Sequence, residues 1–205
     1  MIPEQHVSDA TIAELADKME AAHERFSAAY HAREDAEIAL QGISEKRSSL
    51  VARFKALKAD LASARLSAFN AAIEGGPDST TRKLAGVESQ FAVLGRARQW
   101  FDLFPAADAE RAVLTAAVSE LELRHEFELA RLTHHEAEVV KLLEVAAAAD
   151  GEVELASEGP RTRKLRELAE ATFRELLDAR RALKDHDRDI EAARLQFTKS
   201  EVENG

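Results

Sequence analysis

Two Glu-x-x-His pairs are the first residues in this chain whose types and spacing could do chemistry: Glu20 with His23, and Glu122 with His125. Positions three apart share a helix face, so each pair could offer a carboxylate and an imidazole together. In ferritin-like bundles, such pairs combine with lone glutamates from other helices to hold two metal ions. That chemistry needs the ligands to point inward. Met19 and Ala22 lie on the apolar stripe of the first helix, which puts Glu20 and His23 beside it. No inward glutamate is evident on the two other helices. The expectation is no metal site. His134 and His135 are adjacent and diverge by about 100° on a helix, a poor chelate. The chain has no glycine-rich phosphate loop, no Gly-x-Ser-x-Gly elbow and no His-Glu-x-x-His zinc motif. The reading is of a protein that is not an enzyme, with no catalytic residue and no cofactor.

Other residues suggest recognition. Arg33 and Arg47 interrupt an apolar stripe on either side of Leu40. Polar groups in such a seam set helix register or partner choice; their long stems could also snorkel past its edge. His186, in the last seam, reads as a packing residue. WFDLF, residues 100–104, is the one dense aromatic patch and holds the only Trp. Trp100, Phe101, Leu103 and Phe104 either plug a bundle end or anchor a protein partner, because large aromatics concentrate binding energy.

Long helices must position these groups. From Ile12, Leu15 and Met19 to Ala64, Ala68 and Ala71, seam residues recur alternately three and four apart, and the phase never slips at Gly42. One helix is therefore expected over about 8–72, on the order of 90 to 100 Å long. Thr11 and Glu14 fit a capping box at its start. A seven-residue repeat this long implies left-handed supercoiling against a partner helix. Glu74-Gly-Gly-Pro77 breaks it. A second helix is expected over 79–104, with seam Leu84, Val87, Phe91, Leu94 and Phe101. Pro105 and a loss of phase predict a turn or sharp kink at FPAAD, with Asp108 as cap. The third helix, 109–149, carries two apolar stripes and so expects two packing partners. An acidic loop, 150–160, precedes a fourth helix over 161–198. GPDSTTRKL (76–84) and GPRTRKL (159–165) hint at an internal duplication. The fold class is all-α: one elongated domain, 1–205, forming an antiparallel helical bundle or coiled coil of about four helices.

Composition bounds the function. The chain has 205 residues, 38 acidic and 28 basic, for a net charge of -10. That disfavours phosphate backbones and anionic membranes. With no cysteine there is no disulfide or thiolate site. No apolar run approaches the ~20 residues of a membrane span. MIPEQHVSDA has neither a basic start nor an apolar core, so no signal peptide is expected, and the cytoplasm, or a particle assembled there, is the expected location. The leading expectation is a scaffold, assembly or adaptor protein that works by protein–protein contacts. The first helix outruns the second and fourth, so part of its seam is expected to lie open and drive homo-oligomerisation. The alternative is an acidic inhibitor that occupies a basic, nucleic-acid-binding groove of a target. A curvature-sensing membrane hairpin ranks last, for want of a basic face.

Overall fold

The apolar stripe of the first helix passes through Gly42 without a break in the computed structural model, which describes residues 9–75, 78–148 and 159–203. Helix α1 spans Asp9–Glu74, 66 residues. Every seam position from Ile12 to Ala71 is buried or half-buried except Arg47, while most residues between them face solvent. Gly42 is helical and exposed, and a Cβ added there would meet no atom within 4 Å. The helix ends where Gly75 turns left-handed at φ 70°, a conformation that favours glycine and closes a helix C-terminus. Thr11 is not a cap: it lies inside the helix, and Glu14 pairs with Lys18 at 2.7 Å instead. Lys18 holds the Glu14 carboxyl below its ordinary range.

The expected turn at FPAAD does not exist. Helix α2 (Ser79–Phe101) passes through a π-helical turn (Asp102–Ala106) directly into α3 (Ala107–Ala148). Phe101, Asp102 and Ala107 all keep right-handed helical angles. With α4 (Pro160–Glu203), the described chain is three uninterrupted helical runs, with no strand. In a regular α-helix Pro105 would lack a donor and its ring would strike the carbonyl four residues back. A π turn widens the backbone locally and relieves that conflict. The Ala107 N–H bonds to the Phe104 carbonyl, so Leu103 loses its usual α-helical donor. Arg194 Nε donates to the Leu103 carbonyl at 2.7 Å in its place. Arg194 Nη2 also reaches Asp108 Oδ1 at 2.7 Å, and its guanidinium lies 4.8 Å from the Phe104 ring centroid. Asp108 is thus an Arg194 acceptor and caps nothing.

The chain divides into two units, Met1–Asp35 with Val113–His186, and Ala36–Ala112 with Asp187–Gly205. In the first, α1 pairs antiparallel with α3: Asp9 meets Lys141, Arg25 meets Glu126 at 3.0 Å, and Arg33 meets Glu120 at 2.8 Å. Here α4 packs on another side of α3, with Arg166 on Glu136 at 3.3 Å and Arg180 on Glu122 at 2.6 Å. The two stripes of α3 therefore have two neighbours. Buried here are Ala22, Ala29, Ala137, Leu165, Ala169, Thr172 and Leu176. Thr172 satisfies its hydroxyl on the Leu168 carbonyl at 2.8 Å.

In the second unit, α1 pairs antiparallel with α2. Arg47 meets Asp102, the Phe54 and Phe91 ring centroids lie 4.6 Å apart, and Arg65 meets Glu88 at 3.0 Å. A Cβ on Gly95 would sit 3.5 Å from Phe54, an ordinary van der Waals contact. Helix α4 packs beside the π turn and the start of α3: Asp187 on Arg111 at 2.7 Å, then Arg194, then Phe197 against Phe104 with centroids 6.2 Å apart. Within each unit the seam of α1 faces a helix, α3 in the first and α2 in the second. The open seam expected from the sequence is covered within each unit.

Gly42→Ala is expected to raise stability by about 1 kcal/mol or less, because the added methyl meets nothing and the helix gains propensity. Arg194→Ala is expected to lower it by about 1–3 kcal/mol by orphaning a half-buried carbonyl. Urea unfolding followed by circular dichroism measures both.

Candidate interaction surface

Neither Glu-x-x-His pair is built for a metal. Glu122 is taken by Arg180, and His125 places Nδ1 3.1 Å from the Ala169 carbonyl with its ring 5.2 Å from Phe173. Glu20 is exposed, and the His23 ring packs 5.2 Å from Phe127. His134 and His135 approach the same Glu138, at 3.5 and 3.9 Å. Among the described residues, no group of three or more His, Asp or Glu could hold a metal ion. His186 is half-buried.

The two seam arginines each reach a carboxylate on the facing helix. Arg33 Nη1 donates to Glu120 Oε2 at 2.8 Å, and Glu120 is 5% exposed. A carboxylate so far from water requires that cation. Arg47 Nε lies 2.8 Å from Asp102 Oδ1, but that oxygen makes no hydrogen bond of good geometry. The contact is an ion pair out of line for a hydrogen bond. Asp102 also faces Arg98 at 3.9 Å.

WFDLF plugs no bundle end, because the chain does not turn there. Phe101, Leu103 and Phe104 are half-buried within a continuous helical run. Phe104 stacks on Trp100 with centroids 5.7 Å apart, and Trp100 is 50% exposed. Of the four aromatic-patch residues, Trp100 alone is exposed.

Trp100 lies one turn before Phe104, which packs on Phe197 of α4. Upstream, α1 and α2 form a two-helix stretch with no third helix among the described residues. No residue of α2 is buried there. Arg53, Leu57, Asp60, Val93, Leu94 and Ala97 line an open groove on one face. Thr80, Lys83 and Val87 line its neighbour. On α1, Ala59, Ala62, Leu66, Phe69 and Ile73 are also spaced three and four apart, roughly on the far side from the seam. All five are exposed, with Leu66, Phe69 and Ile73 at 63, 64 and 69%.

This stretch is basic. Residues 46–98 hold ten Lys and Arg against four Asp and Glu, although the whole chain carries -10. Antiparallel pairing sets the cations of 46–65 beside those of 82–98. Arg47, Arg65 and Arg98 are ion-paired. Arg53, Lys55, Lys58, Lys83 and Arg96 are exposed, and none pairs with a described carboxylate. The sequence reading missed this surface. Its signal was the second stripe of α1, legible by the same test that found two stripes on α3.

No protein-family model, curated protein or solved structure matches the chain. Among the described residues, no helix is long and apolar enough to cross a membrane.

Arg33→Ala is expected to cost about 2–3 kcal/mol by leaving the Glu120 carboxylate buried and unpaired. Replacing both partners by leucine should recover most of that loss. A thermal melt of the single and double variants decides; a double variant no more stable than Arg33→Ala alone refutes the account.

Proposed function

We propose that this chain is a non-enzymatic helical assembly or adaptor protein. It acts through protein–protein contacts and self-associates, its helices wound as an antiparallel coiled coil. The observation that carries the reading is the α1/α2 stretch, where apolar side chains face solvent on two sides of a helix pair. Scattered apolar residues need no explanation, but a contiguous stripe such as Leu66, Phe69 and Ile73 marks an interaction surface. Arg33 and Arg47 suit a register-setting role in the seam, each tied to one carboxylate on the facing helix. Trp100 and the half-buried Phe101, Leu103 and Phe104 suit an anchor at the edge of the contact.

The acidic-inhibitor reading draws on one observation: the first unit holds 24 acidic against 14 basic residues. Yet Glu120, Glu122, Glu126, Glu128 and Glu136 are already engaged by arginines of the same unit, and do not form a free row. Assembly is therefore the stronger reading.

Phe69→Asp with Val93→Asp should leave the melting temperature within a few degrees, since both side chains are more than half exposed. It should abolish concentration-dependent association in light scattering and the stoichiometric co-purification of partners from the native source. Unchanged association in the double variant would remove the reading from this surface.

A further inference from the structure

We infer that the exposed stripe of α1 pairs antiparallel with the same stripe of a second copy, about a two-fold axis that passes between Ala62 and Leu66. The inference rests on the self-association proposed above and names its contact, a closed dimer.

The stripe is its own complement. Lys55, Ala59, Ala62, Leu66, Phe69 and Ile73 follow one another at intervals of 4, 3, 4, 3 and 4 residues, all of them exposed. That series reads the same in both directions, so an antiparallel copy falls into step with it along its whole length. Its two halves differ in bulk. One is a lysine stem and two alanines. The other is Leu66, Phe69 and Ile73, exposed by 63, 64 and 69%. In antiparallel register Leu66 lies on the second copy's Ala62, Phe69 on its Ala59, and Ile73 on the stem of its Lys55. Each large side chain meets a small or pliant one, as close packing demands. A parallel pair would set large on large and leave the alanine half hollow.

Charge fits the same register. Lys55 of one copy falls within one residue of Glu74 of the other; both are exposed, and neither pairs with a described residue of its own chain. The two copies' Lys55 residues stand 18 positions apart along the contact, about 27 Å. That is well beyond the screening length of about 8 Å at physiological salt, so the basic surroundings do not hold the copies apart. In a parallel pair the same lysines would face each other. A phosphate backbone or an anionic bilayer could use the lysines, but neither gives a reason for two halves that match. Because both copies use the same patch, the contact is isologous and closes on itself: a dimer leaves neither stripe for a third chain.

The chain has no cysteine, so single cysteines introduced into the full chain report the contact by disulfide formation. Ala59→Cys and Asn70→Cys replace exposed residues on the same flank of the stripe and leave Leu66, Phe69 and Ile73 in place. In the inferred register each position lies about 15 to 18 Å along the axis from its own equivalent in the second copy, too far for a disulfide, which needs Cα atoms within about 7 Å. Residue 59 of one copy and residue 70 of the other are level to within about 1.5 Å. After mild oxidation, each variant alone should run as a monomer on a non-reducing gel, and an equal mixture of the two should give a covalent dimer. The unmodified chain should reach a dimer in sedimentation velocity and nothing larger. Cross-linking by either variant alone overturns the contact, as does a mixture that fails to cross-link while the unmodified chain still associates; both leave assembly standing. A chain monomeric throughout a concentration series overturns the contact and the self-association together. If that monomer binds phosphatidylserine vesicles and Phe69→Asp releases it, the stripe serves a bilayer instead.

Discussion

The seam of α1 meeting an antiparallel partner is the constraint from which the other features follow. It is a thin interface. Among the described residues, the buried apolar ones are mostly alanines, and no large side chain is fully enclosed. Each methyl-sized group contributes about 0.8 kcal/mol of transfer free energy. Such an interface stabilises a fold only if it is long and its phase is kept. That explains why Gly42 is tolerated rather than used as a turn: stopping there would sacrifice the pairing on one side of it. In each unit the pairing advances along α1 as it retreats along the partner by nearly equal steps, Asp9 to Arg33 against Lys141 to Glu120, and Arg47 to Arg65 against Asp102 to Glu88.

The same demand for continuity accounts for the π turn. A break at Pro105 would have ended the partner of α1 midway. The backbone instead absorbs the proline, and Arg194 supplies the hydrogen bond that the ladder gives up. Ala106 and Ala107, 4 and 1% exposed, are the most enclosed of the buried apolar residues of the second unit. Small side chains let the widened turn press against its neighbours, so the irregularity sits in the best-packed part of its unit.

Much of this was legible in the sequence. The helix through Gly42, the break at Gly75, the start at Ser79 and the double-sided α3 follow from periodicity and glycine chemistry, which are local. Pro105 misled because the rules for proline weigh the α-helical interior alone. The distant Arg194, which satisfies the freed carbonyl, cannot be located without the fold. The Thr11 capping box was a pattern without context, since helix already begins at Asp9. The exposed apolar stripe and its basic setting were hidden twice. A net charge of -10 averages over an internal basic segment, and Ala59 and Ala62 look neutral until the helix shows them in line with Leu66, Phe69 and Ile73. The roles of the histidines were decided by neighbours remote in sequence, Phe127 for His23 and Ala169 with Phe173 for His125.

Trp100 is the only indole in the chain, half in solvent, stacked on Phe104 and one turn beyond Ala97 of the open groove. Its fluorescence is consequently an intrinsic optical gauge of that one locality. Anything that lies down along α2 must dehydrate the ring and move its emission to shorter wavelength, so docking there announces itself without a dye, a tag or an engineered label.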